Sequence, residues 1–156
     1  MDTRTVTTPD APPPSGPYSQ AVVVDRLVFL AGQRPVDPRT GEVPDGFPAQ
    51  VEQALKNIRM VLRAAGADLS DVVKLTAYLA DLAYFGELNE VLSAWLAEPY
   101  PARTTVGVRL RDVLVELDVT AVIPDDGARR SPFPHESMTA VTGADGRPIG
   151  VQESRP

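Results

Sequence analysis

A chain of 156 residues, 43% of them hydrophobic, is long enough for one domain with its own core and short for two. Its formal charge of −6 argues against polyanionic partners, because nucleic-acid binding relies on clustered Lys and Arg and no such run is present. There is no cysteine, and the one histidine, His135, lies beyond the last patterned segment, so disulfides, thiolate chemistry, a Ser-His-Asp triad and a His-based metal site within the fold are excluded.

Residues 1–15 are Thr, Pro and Asp with little to bury, and read as a mobile arm. They hold no apolar core for a signal peptide, and no run approaches the roughly 18 apolar residues of a membrane span, so a cytoplasmic protein without membrane contact is expected. Order is expected from GPYSQ at 16–20. The stretch AVVVDRLVFLAG predicts a hairpin of residues 21–24 and 27–31 about the turn Asp25-Arg26. The segment QRPVDPRTGEVPDG, dense in Pro and Gly, predicts a loop. From Phe47 the period changes: Val51, Ala54, Leu55, Ile58, Val61, Leu62 and Ala65 form the apolar stripe of a helix that Gly66 ends.

In DVVKLTAYLAD the two-residue period of a strand puts Val73, Leu75, Ala77 and Leu79 on one side and Val72, Lys74, Thr76 and Tyr78 on the other. A second helix carries Phe85, Leu88, Val91, Leu92, Trp95 and Leu96 on one stripe and stops at Pro99 and Pro101. The strands TTVGVRL and VLVELDVTAVI, joined by the turn Arg111-Asp112, complete an order of ββαβαββ over residues 16–123. The expected class is α+β, with two helices covering one face of a mostly antiparallel sheet. The second face is semi-polar, with Val22, Thr76, Tyr78, Glu116, Asp118 and Thr120, so subunits of a symmetric oligomer are expected to pack there. Beyond Pro124 the chain is a polar, Pro-rich extension, residues 124–156, expected to be disordered or to end in a small docked hairpin about Asp145-Gly146.

Candidate chemistry lies at the strand ends. Arg103, at the head of a strand, presents a planar fork suited to a carboxylate. Antiparallel pairing past the short turn would bring Glu116 back close to it, which permits either a structural salt bridge or a site. Tyr18 can donate a hydrogen bond, Gly32 offers an unobstructed N–H, and Asn89 sits on the polar side of its helix.

Taken together, GPYSQAV, LAGQRPVDPRTGEV, QALKNIRMVLRAAGADLSDVVKLTAYLAD, PARTTVGV and VELD resemble the reactive intermediate deaminase (Rid, or YjgF) family over residues 16 to about 123. The resemblance implies a chorismate-mutase-like subunit in a homotrimer, with a cleft between neighbours. It implies hydrolysis of 2-imino acids and their enamine tautomers, such as 2-aminoacrylate, to 2-keto acids and ammonia, without metal or organic cofactor. By the same resemblance Arg103 grips the substrate carboxylate, Glu116 positions or activates the water, and Tyr18, Gly32 and Asn89 line the pocket. Two other readings stay open: the same fold acting on another carboxylated imine of a specialised pathway, and a non-catalytic binding or chaperone-like trimer. A ribonuclease role, linked to some relatives, fits poorly with an acidic chain whose fold holds no His.

Overall fold

The computed structural model of the protein describes residues 1–125, 140–142 and 148–151. The expected hairpin is present as β2 (Ala21–Val24) and β3 (Leu27–Leu30), with Asp25 at φ 53° in its turn. A short carboxylate makes that left-handed position tolerable by bonding nearby, and Asp25 accepts from the Asp2 N–H at 2.8 Å.

That contact opens the first departure from expectation. The arm is paired: β1 (Thr3–Val6) lies antiparallel to β2, Thr3 opposite Val24 and Val6 opposite Ala21. Composition alone misses it because four residues rich in Thr need only a free strand edge, which the hairpin supplies. Beyond β1 the arm is tied down by Gln20, which is 2% exposed. Its Oε1 accepts from the Thr8 N–H at 2.7 Å, and its Nε2 donates to the carbonyls of Thr8, Ala11 and Pro12. Replacing Gln20 by Ala strips these buried groups of their partners. A loss of about 1–3 kcal/mol in urea unfolding is expected, together with faster tryptic cleavage after Arg4. An unchanged cleavage rate would show that pairing with β2 holds the arm without Gln20.

The helix α1 (Phe47–Ala65) begins with Pro48 in its first turn and ends at Gly66, whose φ of 99° only glycine adopts readily; the Gly66 N–H donates to the Arg63 carbonyl. Its predicted stripe is buried throughout. β4 (Val72–Leu79) places Leu75, Ala77 and Leu79 inward as expected. Val73, however, is 47% exposed, because the register with its neighbour slips between Val72 and Lys74 and Val72 takes the inward place. The second helix, α2 (Phe85–Trp95), buries Leu88, Val91 and Leu92 and packs on α1, whereas Phe85 points out of the stripe assigned to it and is 45% exposed.

The last two strands, β5 (Ala102–Gly107) and β6 (Val115–Val122), do not pair with each other. The sheet order is β1-β2-β3-β6-β4-β5, with β5 parallel to β4 and every other pairing antiparallel. A strand that returns through a helix lands parallel to the one it left, so α2 dictates where β5 goes. The chain then passes the end of β4, held by Val108 N–H to the Leu79 carbonyl and Ala80 N–H to the Leu114 carbonyl, both 2.9 Å. β6 lies between β3 and β4.

Both helices join the inward side chains of the sheet, among them Val28, Leu30, Leu75, Leu79, Val115 and Leu117, in a single α+β core. The other face of the sheet is left with Leu27 and Phe29 exposed by 42% and 44% beside Tyr78, Glu116 and Asp118. Of the extension, β7 (Ala140–Thr142) and β8 (Pro148–Val151) pair antiparallel as a two-stranded sheet of their own; the rest of it, His135 included, lies outside the described residues. Among the described residues no helix is long and apolar enough to cross a membrane.

Candidate active site

Arg103 is the second residue of β5 and pairs with Leu75 of β4, so it shares Leu75's face of the sheet, the face that the helices cover. Because β5 is the edge strand, its side chain escapes past the end of the core and remains exposed. The guanidinium carbon lies 5.3 Å from the centroid of the Phe85 ring, within range of a cation–π contact. A cavity of about 440 Å³ opens beside it, lined by Arg103, Asn89, Leu75, Leu92, Leu96 and Tyr100 among others. Asn89 therefore does join Arg103. No carboxylate of the described residues forms an ion pair with Arg103.

Glu116 stands elsewhere. It pairs with Tyr78 of β4, on the face turned away from the helices, so β4 and the thickness of the sheet separate it from Arg103. The expected approach of the two across a hairpin is thus corrected, and with it the structural salt bridge within one chain. The antiparallel partner of Glu116 is β4 rather than β5, and the face of Arg103 follows from its pairing with Leu75.

On its own face Glu116 reaches towards β3. Gly32, just past the end of β3, leaves room for it: a Cβ at position 32 would lie 3.0 Å from Cδ of Glu116 and nearer still to Oε1. The exchange of N–H and carbonyl between Gln33 and Leu117, at 2.7 and 3.2 Å, fixes this approach. Tyr18, Gly32, Gln33 and Arg34 line a second recess, of about 230 Å³, whose outer wall is the arm at Pro12, Pro13 and Ser15. The Ser15 hydroxyl and N–H hydrogen-bond to the Tyr18 hydroxyl at 3.2 and 3.0 Å and hold the phenol below its ordinary pKa; the charge of Arg34 acts the same way, while burial and Glu116 oppose it. Behind Glu116 the Tyr78 hydroxyl donates to Asp118 Oδ2 at 3.0 Å; this bond, burial and the charges of Asp118 and Glu116 hold Tyr78 above its ordinary value.

The five expected residues therefore fall into two groups: Arg103 with Asn89, and Glu116 with Gly32 and Tyr18. Sequence reasoning missed Phe85, Arg34 and the Tyr78–Asp118 pair. Phe85 begins α2 and so precedes the turn in which the stripe becomes buried. Arg34 was visible as the lone cation beside Gly32 and Gln33, in a segment read only as a loop.

Arg103, without an ion pair among the described residues, thus stands at one strand end, and Glu116 lies over a glycine on the opposite face of the sheet. The chain is a member of the Rid (YjgF) family: the family model described as Endoribonuclease L-PSP matches residues 8–123. A RutC family protein of Pyrococcus abyssi is 47% identical over 124 residues, 78% of this chain and 98% of its own. The mouse 2-iminobutanoate/2-iminopropanoate deaminase is 42% identical over 122 residues, 76% of this chain and 90% of its own. The crystal structure of RidA from an Antarctic Psychrobacter superposes with a TM-score of 0.75 at 46% identity, over 77% of this chain and 99% of that one.

Proposed function

We propose that the protein hydrolyses reactive 2-imino acids and their enamine tautomers to 2-keto acids and ammonia, in a cleft formed between copies of the chain in a homotrimer. The observation that carries this reading is the division of the site: Arg103 and Glu116 face opposite sides of one sheet, each beside its own opening. A head-to-tail contact that closes into a ring would bring one chain's Arg103 to the next chain's Glu116, and the exposed Leu27 and Phe29 give that contact an apolar centre. The 42% identity to a mouse deaminase of this name supports the reaction class.

The chemistry asks little of the protein. The imine carbon next to a carboxylate is electrophilic, more so once its nitrogen is protonated, so orientation and a delivered water suffice. Arg103, steadied over Phe85, holds the carboxylate by two parallel N–H bonds. Glu116 takes a proton from water as the water oxygen bonds to the imine carbon and the C=N π pair goes to nitrogen. It then returns that proton to the amino nitrogen of the carbinolamine, and as the carbon–nitrogen bond breaks the hydroxyl becomes the keto group by passing its proton, through Glu116, to the departing ammonia. Tyr18 and Asn89 supply polar contacts at the two walls.

The test is the rate of 2-keto acid release when the protein is added to a dehydratase that generates 2-aminoacrylate from Ser or 2-aminocrotonate from Thr. Acceleration over the spontaneous rate is expected. Carboxylate binding without acceleration would instead point to the non-catalytic reading.

A further inference from the structure

We propose that Arg34 is a second anion-binding residue of this cleft, and that the preferred substrate is a 2-imino acid whose side chain itself ends in a carboxylate. The inference rests on the deaminase reading and narrows its substrate. Arg34 lines the same recess as Tyr18 and Gly32, on the Glu116 side, whereas the cation that would hold the 2-carboxylate comes from the other wall. A substrate clamped by Arg103 and presented to Glu116 thus has a second guanidinium at the far end of its side chain.

Two observations favour an acid there. First, Arg34 is half-buried, and among the described residues no carboxylate forms an ion pair with it. Its Nη2 donates to the Arg111 carbonyl at 2.8 Å, which anchors the group and leaves the other N–H donors for a ligand. Second, the lining of the recess brings the Tyr18 hydroxyl, Ser15 and Gln33 beside Pro12, Pro13 and Val36, a more polar surface than Leu75, Leu92 and Leu96 beside Arg103. A methyl or ethyl side chain would desolvate the remaining N–H donors of Arg34 without bonding to them, at a cost a carboxylate avoids. The chain carries −6 overall, which repels a doubly negative substrate at long range, so a local cation has to offset that for each acid group. Arg103 and Arg34 are one on each wall. The recess, about 230 Å³, has space for a two- or three-carbon acidic side chain.

The experiment compares imines made in place by amino-acid oxidases, from aspartate or glutamate on one side and from alanine on the other, with the wild type, Arg34→Leu and Arg34→Lys. The wild type is expected to favour the acidic imine in kcat/KM by about tenfold or more, a preference that collapses in Arg34→Leu and returns in part in Arg34→Lys. A wild type that favours the alanine-derived imine overturns the proposal while leaving the deaminase reading in place. So does an Arg34→Leu variant that loses equally on both, which would assign Arg34 to bracing the turn at Arg111. Failure of the wild type on every imine overturns the deaminase reading and this inference together.

Discussion

Arg103→Ala and Glu116→Gln are each expected to lose at least about a hundredfold in kcat/KM for imine hydrolysis, yet the two inactive variants, unfolded and refolded as an equimolar mixture, should regain about a quarter of the wild-type rate. The first part follows from chemistry. Without Arg103 the substrate carboxylate loses its bidentate anchor and the reacting carbon its position, and without the Glu116 carboxylate water has no base. The second part follows from the two faces of the sheet. If each cleft takes its arginine from one chain and its glutamate from the next, a random mixture supplies an intact Arg103 half of the time and, independently, an intact Glu116 half of the time. One cleft in four is then whole. Were both groups to act from a single chain, no member of the mixture would own a complete site and mixing would restore nothing. Subunit exchange followed by a keto acid assay, with the oligomer size of each variant checked by light scattering, separates these outcomes. Loss of the oligomer in Arg103→Ala alone would return this residue to a structural role at a subunit edge.

What was legible in the sequence follows the range of the forces involved. The β2–β3 hairpin and α1 rest on contacts between near neighbours, and a two-residue turn and a continuous stripe from Val51 to Ala65 announce them. The motifs brought Arg103, Glu116, Tyr18, Gly32 and Asn89 forward as candidates, and their division between two faces of the sheet was not legible. Which face Arg103 occupies depends on its opposing Leu75, a pairing set by the α2 crossover, and a short connection such as residues 108–114 looks the same whether it joins neighbours or passes a strand. The inward place of Val72 was hidden for a related reason, since one slipped residue reverses the alternation before it. β1 needed the edge of β2 and the grip of Gln20, both remote from any pattern within residues 1–15.

Gly32→Ala should abolish most of the activity while sparing the fold. The added methyl would stand 3.0 Å from Glu116 Cδ and 3.3 Å from Cγ, closer than those atoms can settle, with Oε1 nearer still. The obstacle is a flexible side chain and not backbone, so the protein relieves it by swinging the carboxylate to another rotamer, at a stability cost of only about 0.5–1.5 kcal/mol. Catalysis is less forgiving, because a base displaced by an ångström misses the water it must deprotonate, and a fall in kcat of roughly a hundredfold is expected. Carboxylate binding rests on Arg103 at the other wall, so KM should move far less than kcat. Glu116→Asp retracts the carboxylate by one methylene and relieves the same clash. In the double variant the two losses should therefore fall well short of adding, as they do for residues in contact. A wild-type kcat in Gly32→Ala would mean that Glu116 works from a rotamer away from β3, and that the open place above Gly32 belongs to the substrate instead.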